Sequence, residues 1–297
     1  MKILVTGSKG QVGSELCRSL PTLGEVVALD RTGMDLSRSD EVRHVLRELR
    51  PDVVVNAAAY AAVDQAETEP QLARLVNALA PAAMAEELRR TGSWLVHYST
   101  DYVFDGKKPT PYTEDDEPFP LNVYGASKLE GERAIQAIGG RHLILRTGWV
   151  YGLRGNNFLL TMLRLFEERD ELKIVDDQLG APTWSRWLAQ STAEVIRQCC
   201  GSVDRSESDR SGIYHMTAGG RTSWFGFASA IRELCSPQTG TKRPELAPIH
   251  SSEYSSPAKR PGNSVLSNAK FQAAFGLAQP CWESLLRQCM AELEGIR

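Results

Sequence analysis

Tyr124 and Lys128 stand four residues apart at the start of a segment whose apolar spacing predicts a helix over Tyr124–Ile138, so their side chains share one helix face. Alone, such a pair is a common coincidence of a packing aromatic and a solvated lysine. Its company changes the reading. Thr100 directly follows a predicted strand, Trp94–Ser99, and a hydroxyl at a strand's carboxyl end sits where open α/β sheets bind ligands. A ketone that accepts a hydride builds negative charge on its oxygen, and a proton must meet it. A phenol can deliver that proton, yet its ordinary pKa of about 10 is high for cycling near neutral pH. A neighbouring ammonium favours the phenolate and lowers that pKa. A threonine hydroxyl can hydrogen-bond the developing oxyanion. Tyr124, Lys128 and Thr100 are the expected catalytic set, and the chemistry that suits them is carbonyl reduction by hydride.

A hydride donor needs a cradle. Gly7-Ser8-Lys9-Gly10-Gln11-Val12-Gly13 follows the predicted strand Lys2–Thr6 and opens a helix. Glycines there let the chain turn tightly and bring backbone N–H groups and a helix N-terminus to a pyrophosphate. The spacing is GxxGxxG, so Gly7, Gly10 and Gly13 are read as a dinucleotide loop by their position after a strand. Asp30 ends the second predicted strand, where an acid can accept hydrogen bonds from an adenosine ribose, while Arg31 could hold a 2′-phosphate. The pair leaves NADPH and NADH both open. Asp35 and Leu36 are candidate adenine contacts, and the small residues of Asn56-Ala57-Ala58-Ala59 let a cofactor lie close to the chain. Lys128 could also hold a nicotinamide ribose.

The first half of the chain positions these groups. Short apolar runs (Lys2–Thr6, Glu25–Asp30, Val53–Asn56, Trp94–Ser99, His142–Arg146) alternate with helical patterns, among them Gln71–Arg90. That alternation predicts βαβ units and a Rossmann-type, doubly wound parallel sheet of the α/β class. The second half is more irregular. Helices are expected over 157–169, Thr183–Gln198, Ser223–Leu234 and about Trp282–Glu294, a strand over Gly212–Met216, and a surface loop over Cys200–Ser211. Pro237–Ser267, with four prolines after residue 243, is expected to be loop.

Composition sets limits. A formal charge of −3 argues against nucleic acid as a partner, which would select a strong basic excess. No apolar run reaches the roughly 18–20 residues of a membrane span, and the expectation is a soluble, cytoplasmic protein. The six cysteines form no CxxC pair and read as reduced, mostly buried thiols. The five histidines are scattered, with none placed for metal or triad chemistry.

The glycine loop, the Asn-Ala-Ala-Ala strand end, the strand-end hydroxyl and the Tyr124/Lys128 pair together resemble the extended short-chain dehydrogenase/reductases. Within that class the stretches HYSTDYVFDG (97–106), PLNVYGASKLEGE (120–132), LRTGWVYG (145–152), GNNF (155–158), DDQLGAPT (176–183) and RPGNSVL (260–266) are similar to the dTDP-4-dehydrorhamnose reductase family over nearly the whole chain. The resemblance implies a dTDP-sugar substrate, dTDP-6-deoxy-L-lyxo-4-hexulose, reduced at its 4-keto group to dTDP-L-rhamnose by NADPH or NADH. It places Thr100, Tyr124 and Lys128 at catalytic positions, and Thr100 and Asp101 at sugar contacts. Trp149 matches a substrate aromatic whose indole could pack on a hexose ring. Gly10, Gln11, Val12, Asp30, Asp35, Leu36, Ala59, Tyr60, Ala61 and Tyr98 match cofactor positions. The family usually has His-Thr where this chain has Tyr60-Ala61, which loses a hydroxyl. Asn157 could donate to a substrate diphosphate or cap a helix, and Arg260 is a candidate diphosphate clamp.

The resemblance further implies a dinucleotide-binding domain over 1–150 plus about 173–200, with Lys173–Val175 returning to it as a strand. A smaller mixed α/β substrate lobe would span about 152–172 and 212–297. Some relatives are magnesium-bridged dimers, held by carboxylates of the first helix, the helix near residue 186 and the last helix. Glu15 and Glu292 could supply two of these, but Thr183-Trp184-Ser185-Arg186-Trp187 offers none and Arg186 repels a cation. The expectation is no metal site, activity without Mg²⁺, and a monomer or weak homodimer. Two alternatives stay open. One is a nucleotide-sugar epimerase or dehydratase, although a dehydratase's glutamate after Thr-Asp is here Tyr102. The other is a non-catalytic reductase-like subunit, which commonly loses the Tyr/Lys pair kept here.

Overall fold

A computed structural model describes residues 1–200, 210–235 and 244–296. The loop expected over Cys200–Ser211 lies mostly outside them. The first half runs β1 (Lys2–Thr6), α1 (Gln11–Ser19), β2 (Glu25–Leu29), α2 (Ser39–Leu49), β3 (Val53–Asn56), α3 (Val63–Ala66), α4 (Pro70–Arg74), α5 (Ala80–Thr91), β4 (Trp94–Thr100), α6 (Val123–Ile138) and β5 (His142–Thr147). The second half runs β6 (Val150–Tyr151), α7 (Phe158–Glu168), β7 (Glu171–Val175), β8 (Leu179–Gly180), β9 (Thr183–Trp184), α8 (Ser185–Cys200), β10 (Gly212–His215), β11 (Thr222–Ser223), α9 (Trp224–Leu234), β12 (Glu245–Ile249), α10 (Ala269–Phe275) and α11 (Trp282–Ile296).

Six strands form one parallel sheet in the order β2-β1-β3-β4-β5-β10. The chain winds outward from β1 to β2 and then returns to β1's other side as β3. That reversal opens a crevice at the strands' carboxyl ends, the place where open α/β sheets bind ligands. Alternate residues feed two cores, as the period of two requires. Ile3, Val5 and Val96 pack with Trp187 and Leu188 of α8, and the same cluster continues to Phe227, Trp282 and Leu286. Leu4, Val54, Leu95 and Ile144 pack on the other face with Val42, Leu46, Met84 and Leu88.

Three expectations are corrected. The helix expected over Gln71–Arg90 is broken by a π-helical turn at Leu75–Leu79. Pro81 has no N–H for Asn77 O and its ring crowds that carbonyl, so the helix widens one turn earlier. Gly131 of α6 then packs on Asn77 O, where a methyl group would overlap it. Second, Lys173–Val175 does not return to the central sheet. It belongs to β7, which pairs in parallel with β12 in a separate two-stranded sheet. β12 lies in the stretch expected to be loop. A two-stranded sheet leaves β12 an open edge, where Pro248 deprives no neighbour of a hydrogen bond. Third, Gly212–His215, assigned to the substrate lobe, is the sixth strand of the central sheet, beside β5. α8 packs against α1 between β5 and β10 and supplies the crossover that a parallel neighbour needs.

Among the described residues, no helix is long and apolar enough to cross a membrane. No disulfide joins any of the six cysteines, but only Cys235 and Cys289 are buried, fewer than expected, and Cys281 is exposed.

Candidate active site

The loop after β1 is shaped by contact. Gly7 adopts a left-handed backbone (φ +64°), and a methyl group on it would lie 2.8 Å from Ala58 Cα. A methyl on Gly13 would overlap the Gly7 carbonyl. The loop therefore lies flat on the Ala57–Ala58 strand end. Gly7 and Gly10 line a cleft of about 290 Å³ with Asp30, Arg31, Asp35, Leu36, Ala57, Ala59 and Tyr60. Met34, Leu72 and Val76 line it too. They come from loop and helix positions that only tertiary packing brings here, and no local signal marks them. Val12 sits in the first turn of α1 behind the loop, and Ala61 is exposed just beyond Tyr60. Gln11 reaches toward the 155–156 loop, its Nε2 3.5 Å from Asn156 O and its buried Oε1 without a hydrogen-bond partner.

Asp30 is already engaged. Lys9 bonds one carboxylate oxygen, and the other accepts from Thr32 N at 2.9 Å and Thr32 Oγ1 at 2.6 Å. Lys9 first, and then Thr32, hold this carboxyl far below its usual range. Arg31 Nε lies 3.7 Å from Asp35. The side chains of Lys9 and Arg31 are 82% and 77% exposed, so this end of the cleft presents two cations to solvent.

β4 carries the reacting end. Along it Tyr98 turns toward α8, where its hydroxyl meets Thr192 Oγ1 at 2.5 Å, so its ring points away from α6. What Tyr98 offers the site is its carbonyl, which accepts from Lys128 Nζ at 2.5 Å. His97, on the opposite face, meets the same Nζ at 3.1 Å through Nε2. This contact was missed: the strand's alternation, which puts residue 97 on the α6 side, was the available signal. Thr100 Oγ1 accepts from Tyr102 N and donates to Asp101 Oδ1, both at 3.1 Å. The Tyr124 phenol also has a hydrogen bond with Thr100. α6 is aimed by its cap: Asn122 Oδ1 accepts from Gly125 N at 2.8 Å, and Asn122 Nδ2 donates to Lys259 O at 2.9 Å. Gly125 packs so tightly on Tyr102 O that any side chain would overlap it.

Burial governs the protonation of this cluster. It pushes the Tyr124 phenol up to about 12, opposed by the Thr100 hydrogen bond. The depression expected from Lys128 is absent because the ammonium is drawn back to β4, onto Tyr98 O and His97. The phenol is thus held protonated through neutral pH, the state a proton donor needs. Burial pulls Lys128 down to about 8, against the charge of Glu132. It raises Asp101 to about 6, and Asp101 Oδ2 is buried without a hydrogen-bond partner.

The residues expected at the substrate side are more constrained than their types suggested. Trp149 has a left-handed backbone (φ +51°). Its indole stacks on Trp224, with centroids 3.4 Å apart and planes within 2°, and Gly180 packs against the same ring. Nε1 donates to Ser264 Oγ at 3.2 Å. Trp224 covers one face of the ring, and Gly180 packs near its Cε2–Nε1 edge. Arg260 donates to Asp64 Oδ2 at 2.9 Å and to Ser256 Oγ, so it ties the 256–260 loop to α3. Asn157 is the N-cap of α7: Oδ1 accepts from Leu160 N, and Nδ2 donates to Gly152 O and Arg154 O. Its amide is engaged with the chain in this arrangement. Asn157→Ala is expected to lower stability by about 1 kcal/mol and to leave the substrate KM unchanged, measured by denaturant melts and initial rates.

Arg186 occupies the space between the two carboxylates considered for a metal. Its Nε lies 3.0 Å from Glu15 Oε2, and its Nη1 bonds Glu292. The guanidinium supplies the positive charge that joins α1, α8 and α11.

Comparison with known proteins agrees with this arrangement. A family model described as the RmlD substrate binding domain matches residues 1–294. A dTDP-4-dehydrorhamnose reductase of Burkholderia thailandensis is 49% identical over 99% of both chains. The crystal structure of a dTDP-4-dehydrorhamnose reductase ortholog from Clostridium acetobutylicum superimposes with a TM-score of 0.91, at 38% identity, over 99% of this chain and 100% of that one. The corresponding enzyme of Bacillus anthracis, solved in complex with NADP, gives 0.89 at 34% identity, covering 98% and 99%. The chain belongs to the dTDP-4-dehydrorhamnose reductase family, whose members are NAD(P)H-dependent oxidoreductases of the extended short-chain dehydrogenase/reductase class.

Proposed function

We propose that the protein reduces the 4-keto group of dTDP-6-deoxy-L-lyxo-4-hexulose to give dTDP-L-rhamnose, with Tyr124 as the proton donor. The observation that carries this reading is the convergence of Thr100, Asp101, Tyr124 and Lys128 around the carboxyl end of β4, in the sheet whose β1–β3 crevice holds the glycine cleft. NADPH or NADH, when bound, supplies the hydride. The cleft fits such a group: Gly7 and Gly13 let the loop pack flat on Ala58 and on itself, so the N-terminus of α1 is offered to a pyrophosphate, and Gly10, Ala57 and Ala59 line the cleft. Thr100 hydrogen-bonds the ketone oxygen and Tyr124 gives that oxygen its proton as charge develops. Lys128 would hold the nicotinamide ribose through the donor that Tyr98 O and His97 leave. Asp101, poised near neutrality by burial, binds a sugar hydroxyl. Lys9 and Arg31 offer cations to a 2′-phosphate, while Lys9 occupies Asp30, so NADPH is expected to bind more tightly than NADH. We place the activity in the cytoplasm, where reduced nicotinamide cofactors are held.

The test follows cofactor absorbance with the 4-keto-6-deoxyhexose and with its 3,5-epimerised form. The expected result is stoichiometric oxidation of NADPH with the epimerised sugar. Product formation without net cofactor oxidation would instead show an epimerase or dehydratase, which regenerates its cofactor.

A further inference from the structure

Lys128 is buried to 2% exposure, and two of its donors end on β4, at Tyr98 O and at His97 Nε2. Glu132, one helical turn along α6, does not take the third. Its carboxylate is clamped by Arg146 Nε and Nη2 at 2.9 and 2.6 Å. Behind the imidazole the contacts continue. His97 Nδ1 lies 3.0 Å from Asn56 Nδ2, and Asn56 Oδ1 lies 2.6 Å from Thr6 Oγ1. His97, Asn56 and Thr6 are each at most 2% exposed, so bulk water does not compete for these groups.

The donor count along this chain constrains it. An ammonium can only donate, so His97 Nε2 must offer its lone pair to a charged Lys128. Burial, with the lysine's charge, holds His97 neutral, which leaves its one proton on Nδ1. That proton needs an acceptor, and Asn56 supplies one when its amide presents Oδ1 to the ring and Nδ2 to Thr6. In the orientation the structure shows, Nδ2 faces the ring and Oδ1 accepts from Thr6, so Nδ1 accepts from Asn56 and Nε2–H faces Lys128, which suits only the neutral amine. Each amide orientation therefore goes with one charge state of the lysine.

We propose that His97 is a positioning residue for the reduction: its Nε2 lone pair holds the Lys128 ammonium in place behind Tyr124, and turning over the Asn56 amide between the ring and Thr6 switches the tautomer that makes that lone pair available. This rests on the role given to Lys128 under the proposed function. The other charged or titratable groups near Lys128 are Tyr124 and the mutually paired Glu132 and Arg146, with Asp101 beyond the phenol. Among the described residues, only His97 touches the ammonium with a lone pair whose availability depends on a tautomer.

The experiment is the pH profile of kcat/KM for the sugar nucleotide at saturating NADPH. In His97→Leu the alkaline limb is expected to move down by about one pH unit and the value near pH 8 to fall about tenfold, from loss of one hydrogen bond to a charged group. His97→Gln, whose carbonyl can accept from the ammonium, should recover most of this. Asn56→Asp, which can only accept, fixes the Nδ1–H tautomer and should move the limb up; it decides the matter if His97→Leu does not fold. NADPH fluorescence titration and thermal melts confirm that each variant is intact. Normalised profiles of wild type and His97→Leu that superimpose, or a glutamine variant no better than leucine, would overturn the proposal. Lys128→Met separates the two layers. If it turns over normally, the role of Lys128 itself fails. If it is inactive while His97→Leu keeps the wild-type profile, only the role of His97 fails.

Discussion

Tyr124→Phe is expected to lower kcat by about 10²–10⁴-fold, the usual cost of losing a positioned proton donor, while the affinity for NADPH stays close to wild type. The phenylalanine ring fills the same space beside Tyr102, whose ring meets that of Tyr124 edge-on at 6.1 Å, so α6 keeps its seat. Removed are the hydroxyl, its hydrogen bond with Thr100 and the only phenol placed to meet a ketone oxygen there. Tyr102 is not expected to substitute, because its phenol lies by the Arg260 guanidinium. Steady-state rates and fluorescence titration of NADPH separate the two effects. Wild-type turnover in the phenylalanine variant would remove Tyr124 from the mechanism.

Glu132→Ala is expected to destabilise the fold by about 3–5 kcal/mol, the cost of leaving a buried charge without its partner. The side chains of Glu132 and Arg146 are 1% and 2% exposed and meet in a two-pronged ion pair between α6 and β5. Arg146 Nη1 has no hydrogen-bond partner even with the pair intact. The other groups near the guanidinium are the Phe104 ring at 5.2 Å and His215, whose imidazole burial and the arginine's own charge pull down to about 3, so neither replaces a carboxylate. Equilibrium urea unfolding measures the loss. The double variant Glu132→Met with Arg146→Met should recover much of it, since an apolar pair of similar volume removes both desolvation costs. A single variant as stable as wild type would show that the pair contributes no stability.

Much of this was legible in the sequence because it is local. The period-two and period-3.6 patterns place β1 to β5 and most helices, and the glycine loop with Asp30 and the alanine strand end outlines the cleft. Tyr124, Lys128 and Thr100 were readable because one helix turn and one strand end position them. What escaped depends on partners distant in sequence. Asn157 had two readings from its residue type, and its engagement with the carbonyls of Gly152 and Arg154 shows only in the structure. β10 is too short to announce which sheet it joins. β12 hides among prolines because its exposed edge needs no continuous apolar run. His97 looked like one more scattered histidine until β3 and α6 closed around it.

The Arg186 junction bears on how the chain reaches this state. The arginine is 171 residues from Glu15 and 106 from Glu292, so one guanidinium fastens α1 to α11 across a wide stretch of sequence. α1 emerges early during synthesis, but the helix that covers it, α8, follows only at residues 185–200 and the last clasp, α11, only from residue 282. The sheet likewise lacks β10 until more than two thirds of the chain exists. Until then the apolar sides of α1 and β1, with Leu16 and Ile3, have no lasting cover. Contacts of such wide sequence separation slow the search for the native state and lengthen the exposure of sticky surface. A nascent chain stalled before residue 185 would therefore hold its glycine loop on an unfinished scaffold and depend on chaperones until α8, β10 and α11 arrive.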